Sequence, residues 1–292
     1  MSPLLFVLMA IAMIIWGGTW PSAKSIAAVA SPEANVFWRF LVTSVAFLPI
    51  LLATRTSLRV SRRGLLLTAA AAALLVLYNL AFFAGLRLGL ASVGGELVPT
   101  LSPILTVLFG LIVLRRRAAR PVQIIGIVLG FVGGMIILQI WAIGSRDLMR
   151  SGNLLFLAAA GLWAALTLLG ARAQQEVPFI PFSFLMYALA SVIALPVALA
   201  GNIGSVFSGG WPYWLNLAYL AVVATAFATT VYFLCSARLG ASRASAFMFI
   251  VPTAAVLLSW LFIGEAPTAA TLAGGALSIG AVYLVNSGKG RA

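Results

Sequence analysis

Charge acts as punctuation in this chain. Eighteen Lys and Arg and five Asp and Glu are spread along 292 residues, and they cut the sequence into apolar runs of about 20 residues, the length a helix needs to cross a bilayer core. The runs predict spans at 3–24, 33–53, 64–86, 92–114, 121–141, 152–172, 179–200, 212–237, 242–263 and 269–286. The stretch from Val177 to Ala237 has no charge and is too long for one span, and GNIGSVFSGGWP at 201–212 supplies the turn that divides it. With 63% hydrophobic and 8% charged residues, and a mean hydropathy of +1.14, the composition lies far from that of soluble domains. The expected fold is an all-α membrane protein of ten transmembrane helices.

The net charge of +13 does not indicate a nucleic-acid partner, because the basic residues fall in short clusters between apolar runs rather than along one face. They set membrane orientation instead. With a cytoplasmic N-terminus, the inner segments carry Arg55, Arg59, Arg62, Arg63, Arg115, Arg116, Arg117, Arg120, Arg172, Arg238, Arg243, Lys289 and Arg291, whereas the outer ones carry Lys24, Arg87, Arg146 and Arg150. Both termini are therefore expected inside. Trp141, Trp211 and Trp214 then fall near the outer interface, where amphipathic rings prefer to sit. The first run lacks a basic leader and a small-residue cleavage site, so it reads as a retained span. One cysteine, Cys235, and no histidine remove the usual ligands of zinc and haem, and no cofactor or metal is expected.

Two parts of the sequence repeat each other. GLRLGLAS (85–92) matches SARLGAS (236–242), each followed by a proline-bearing span, a short loop and a glycine-rich span, GIVLGFVGG (126–134) and AGGALSIGA (273–281). Trp16 and Trp163 occupy equivalent segments. The halves are 1–141 and 152–288, each with five spans. An odd number requires the second half to insert upside down, giving two inverted five-helix repeats, a device of secondary transporters that place the binding site between repeats.

WGGTWPSAK in span one, FWRF in span two, the duplicated RLG-AS with its following proline, FIGEAPT (262–268) and the glycine-rich spans five and ten together resemble the drug/metabolite transporter superfamily in its EamA-type form. The resemblance covers nearly the whole chain and is strongest to bacterial amino-acid exporters, aromatic ones included. It implies a multi-pass protein of the bacterial cytoplasmic (inner) membrane that exports a small molecule. The first half departs from the pattern, with LRRRAARP (114–121) where the second half has the acidic loop.

Glu96 heads an apolar span. An acid at the bilayer centre costs roughly 2.5 to 3.5 kcal/mol, against about 0.3 to 0.6 returned by each Leu, Ile, Val or Phe, and twelve of these lie between Leu97 and Leu114. The span inserts, but its acid must face a cavity or a partner. Helical spacing puts Ser92, Glu96, Pro99, Thr100 and Pro103 on one side and Leu97, Leu101, Ile104, Leu108 and Leu111 on the other. Pro99 and Pro103 free the carbonyls of Gly95 and Pro99, which survive at membrane depth only against protein or water. Pro252 is their counterpart in span nine. Span four is expected to line a wet path with helix breaks at Pro99, Pro103 and Pro252.

Two readings of Glu96 follow: an ion pair with Arg39, or contact with the ammonium of a substrate. For Arg39 a structural role is favoured over binding a substrate carboxylate. Trp16, Trp163, Tyr78 with Asn79, and more weakly Tyr232 complete a candidate substrate site for amino acids or amphipathic amines, through stacking and cation–π contact. Lys24 reads as an end residue whose head reaches the interface. The glycine runs suit close helix approach, within the chain or across a dimer face, and a monomer is favoured. No Walker A sequence is present, which excludes ATP driving by this chain. No HExxH or GxSxG motif and no filter-like carbonyl motif point to an enzyme or a channel. The expected function is export of amino acids or similar metabolites by alternating access, with proton-coupled efflux of lipophilic cations as the alternative.

Overall fold

The structure, a computed structural model, describes residues 3–89, 91–112, 120–139, 141, 151–263 and 268–287. Among them ten helices are long and apolar enough to cross a membrane, and no strand occurs. They are α1 (Pro3–Ala27), α2 (Pro32–Thr54), α3 (Arg62–Leu88), α4 (Ala91–Ile112), α5 (Pro121–Leu138), α6 (Ser151–Ala173) and α7 (Phe179–Ala200). Next come α8, built from Gly210–Ala218, Tyr219–Thr229 and Thr230–Leu239, α9, built from Ala241–Ala246, Phe247–Phe249 and Ile250–Ile263, and α10 (Ala269–Ser287). The turn expected at 201–212 holds a 3₁₀ helix, Ile203–Gly209. The basic run at 115–117, the acids Asp147 and Glu265, and Arg146, Arg150, Lys289 and Arg291 lie outside the described residues.

Local chemistry sets the ends of these helices. Ser31 and Ser61 cap α2 and α3, their hydroxyls accepting from the backbone N–H of Ala34 at 3.2 Å and Gly64 at 2.9 Å. Pro32 and Pro121 open α2 and α5 at positions whose N–H has no helical partner. Arg55 and Gln139, at φ 47° and 49°, end α2 and α5 in the left-handed conformation. Lys24, half-buried at the end of α1, donates to the carbonyls of Leu86 and, at 3.0 Å, Gly89. It thus caps the C-terminus of α3 with a cation, where the helix dipole favours one.

Outward faces are apolar, with Leu52 at 78%, Leu261 at 75% and Val192 at 64% exposure, which suits lipid rather than water. Packing follows the sequence repeat. Helix α1 packs on α9 as α4 packs on α6; α3 packs on α6 as α1 packs on α8; α2 packs on α8 as α3 packs on α7. The pairs α2–α7 and α5–α10 join like to like across the halves. In the α5–α10 seam, a Cβ on Gly133 would lie 2.7 Å from the Gly274 carbonyl oxygen and one on Gly274 2.6 Å from that of Gly133. The glycine runs meet each other within the chain, and the gap admits no side chain.

Candidate functional site

A cavity of about 50 Å³ opens among α1, α2, α3, α4, α6, α8 and α9. It brings together Trp16, Tyr78, Asn79, Trp163, Arg39 and Pro99, six of the residues singled out by sequence. Trp16 and Trp163 meet edge to face with ring centroids 5.1 Å apart, and Tyr78 lies 4.8 Å from Trp163. Trp16 and Tyr78 are half-buried, whereas Trp163 is buried. Tyr232 is not in the wall. It stands beside Trp16 and Trp163, at 5.1 and 5.4 Å, and shares a 2.8 Å hydrogen bond with Thr167, so it supports the cage from outside.

Glu96 and Pro103 also stay out of the wall, as does Pro252. On α4 the cavity is fronted by Val98 and Pro99, a direction about 110° round the helix from Glu96 at 3.6 residues per turn. The polar side read from the sequence is split between two neighbours. Pro99 faces the cavity, while the Thr100 hydroxyl lies against Gly134 of α5, so close that it leaves no room for a Cβ there. The Glu96 carboxyl is buried and its Oε2 has no hydrogen-bond partner. An Arg39–Glu96 ion pair is not formed. Among the described residues the ion pair present is Arg63–Glu176, at 3.3 Å on the surface.

Arg39 is held by neutral groups. Its Nε donates to Thr225 Oγ1 at 3.0 Å and its Nη1 to Asn79 Oδ1 at 3.1 Å. Asn79 is oriented in turn by donating Nδ2 to the Leu75 carbonyl at 2.9 Å. Thr225 belongs to a π-helical stretch of α8, Tyr219–Thr229. There the Thr225 and Thr229 hydroxyls reach back five residues, to the carbonyls of Leu220 at 2.7 Å and Ala224 at 2.9 Å. Side chains from three helices hold the widened turns: Trp16 Nε1 donates to the Ala224 carbonyl at 3.2 Å, Thr43 to that of Ala221 at 3.0 Å and Tyr187 to that of Thr225 at 3.2 Å. Such π segments recur at functional sites.

Trp20, Thr225 and Thr229 also line the cavity and were not singled out by sequence. Trp20 follows Trp16 by four residues and so shares its face, a signal the sequence did carry. It fills the space left by Gly94 and Gly95 of α4. Nothing in ATAFATT (224–230) marks a π-helix. Among the described residues no group of three or more His, Cys, Asp or Glu converges on a metal site.

Ten apolar helices around a central polar and aromatic cavity define a multi-pass membrane protein of transporter type. The chain belongs to the EamA-like transporter family, which matches residues 4–139 and 150–287, within the drug/metabolite transporter superfamily. It is 24% identical to an uncharacterized transporter of Archaeoglobus fulgidus over 96% of both chains. It is 25% identical to the uncharacterized transporter YvbV of Bacillus subtilis, over 96% of this chain and 91% of that one. A probable amino-acid metabolite efflux pump of Salmonella typhimurium is 25% identical over 69% of this chain and 70% of its own. A crystal structure 20% identical in sequence superposes with a TM-score of 0.73, covering 97% of this chain and 96% of that one, which shows a shared fold.

Proposed function

We propose that this transporter exports amino acids, aromatic ones included, or similar small metabolites across the bacterial cytoplasmic membrane. The cavity between two oppositely inserted five-helix repeats, 1–141 and 152–288, is its substrate site, with access alternating between the two faces. The observation that carries this reading is the edge-to-face meeting, inside one cavity, of Trp16 and Trp163, residues that the sequence reading puts at matching points of the two repeats. A site built where repeats meet is the arrangement that rocking of one half against the other can expose to each side in turn. The distribution of Lys and Arg supports cytoplasmic termini. The Salmonella relative supports an amino-acid metabolite as cargo.

Transport runs down the solute's own gradient in this reading, since no acid stands in the described cavity wall. Efflux of lipophilic cations has less support for the same reason: the charge in that wall is Arg39. Counterflow tests the proposal. Proteoliposomes loaded with unlabelled phenylalanine should accumulate labelled phenylalanine transiently above protein-free controls, equally with and without an imposed pH gradient. Absence of exchange with every member of an amino-acid panel refutes the cargo assignment, and a rate that follows the pH gradient refutes uncoupled export.

A further inference from the structure

We infer that Arg39 is the anion subsite of the cavity. It binds the carboxylate of the transported solute, so the substrate class is small carboxylic acids with a flat apolar body, amino acids among them, and excludes amines that lack an acid. The inference rests on reading the cavity as the substrate site, and it reverses the structural role that sequence alone favours for this residue.

A guanidinium has five N–H donors. Two of Arg39's are used, on the neutral oxygens of Thr225 and Asn79. The side chain is 7% exposed and lines the cavity, and no carboxylate among the described residues pairs with it. A purely structural arginine at this depth is expected to have its charge answered by an acid, because an uncompensated buried charge is costly. Here the bonds through Nε and Nη1 fix the plane of the guanidinium and leave N–H groups to take a planar two-oxygen anion, the geometry that suits this side chain. Tyr78 adds a phenol in the same wall whose hydroxyl has no described hydrogen-bond partner. Trp16, Tyr78 and Trp163 then receive the apolar body, and the faces of the same rings accept an ammonium where the solute has one.

The other buried ionisable side chain gives no competing site. Glu96 stands outside the wall, so the described wall carries one charge, and it is positive.

Three probes separate the ends of the solute: L-phenylalanine, 3-phenylpropionate, which lacks the amine, and L-phenylalaninamide, which lacks the carboxylate. Stabilisation of the purified, detergent-solubilised protein against heat is titrated with each. Phenylalanine and 3-phenylpropionate should both stabilise, and the amide should need roughly 10- to 100-fold higher concentration, as expected for loss of a hydrogen-bonded charge contact. Arg39→Gln should bring acid and amide together, and Arg39→Lys should restore part of the gap. An amide as effective as the acids in the unmodified protein overturns the anion subsite while leaving amino-acid export standing. Stabilisation by 3-phenylpropionate but not by phenylalanine keeps the subsite and overturns amino acids as the cargo. Stabilisation by none of the three overturns both. Should Arg39→Gln fail to fold, the three probes on the unmodified protein decide the question alone.

Discussion

Adding one methyl group at Gly274 should loosen the seam between the two halves by an amount the structure sets. A Cβ at this position would lie 2.6 Å from the Gly133 carbonyl oxygen, 2.8 Å from Ile137 Cγ1 and 3.1 Å from the Ile137 nitrogen. Ordinary contact begins at 3.4 Å, so the backbones must part by 3.4 − 2.6 = 0.8 Å along that line. Two of the three obstructing atoms are backbone and cannot rotate aside. Overpacking of this kind costs about 1 to 3 kcal/mol. Gly161, in the middle of α6, supplies the matched control, because a Cβ there meets nothing within 4 Å. Both substitutions gain the same helix propensity of about 1 kcal/mol, so the difference between them isolates the clash. Thermal unfolding followed by tryptophan fluorescence in one detergent should place Gly161→Ala at or above the unmodified protein and Gly274→Ala below Gly161→Ala by that 1 to 3 kcal/mol. Equal stability of the two variants refutes the close approach of α5 and α10.

Lys24→Met removes a half-buried cation from the C-terminal carbonyls of α3, and stability should fall by up to about 2 kcal/mol, read in the same melting assay, whereas Lys24→Arg should keep part of it. Trp163→Ala empties a buried indole that touches Trp16, Tyr78 and Tyr232; a loss of about 3 to 5 kcal/mol and of phenylalanine counterflow are both expected, with Trp163→Phe intermediate in each. Glu176→Gln breaks the Arg63 ion pair, whose arginine is 64% exposed, and should shift stability by less than about 1 kcal/mol, the shift vanishing in high salt.

The ten helices were legible because charge and apolar length together leave a bilayer-spanning chain few alternatives. The expected span 179–200 coincides with α7, and others differ by a turn or less where capping chemistry decides, as at Ser31 or Gln139. The aromatic cage was legible in part: Trp16 and Trp163, singled out from their matching places in the sequence, meet with ring centroids 5.1 Å apart. Less was legible on α4. A polar stripe on a helix shows which residues share a face, not whether that face fronts a cavity or a glycine-rich neighbour, and the neighbour decided the surroundings of Thr100. The partners of Arg39 were not legible at all. One of them, Thr225, is placed by a π-helical stretch, and its widened turns are held by hydrogen bonds from Trp16, Thr43 and Tyr187, residues far away in the sequence.

Thiol labelling from both sides of the membrane tests the central account most directly. Thr19 lines the cavity from α1, and Thr19→Cys in a Cys235→Ala background leaves one thiol in the chain. In sealed vesicles of defined orientation, a membrane-impermeant thiol reagent should modify this cysteine when added to either face, and phenylalanine should slow both reactions. Modification from one face only, or from neither, contradicts a cavity that opens alternately to the two sides.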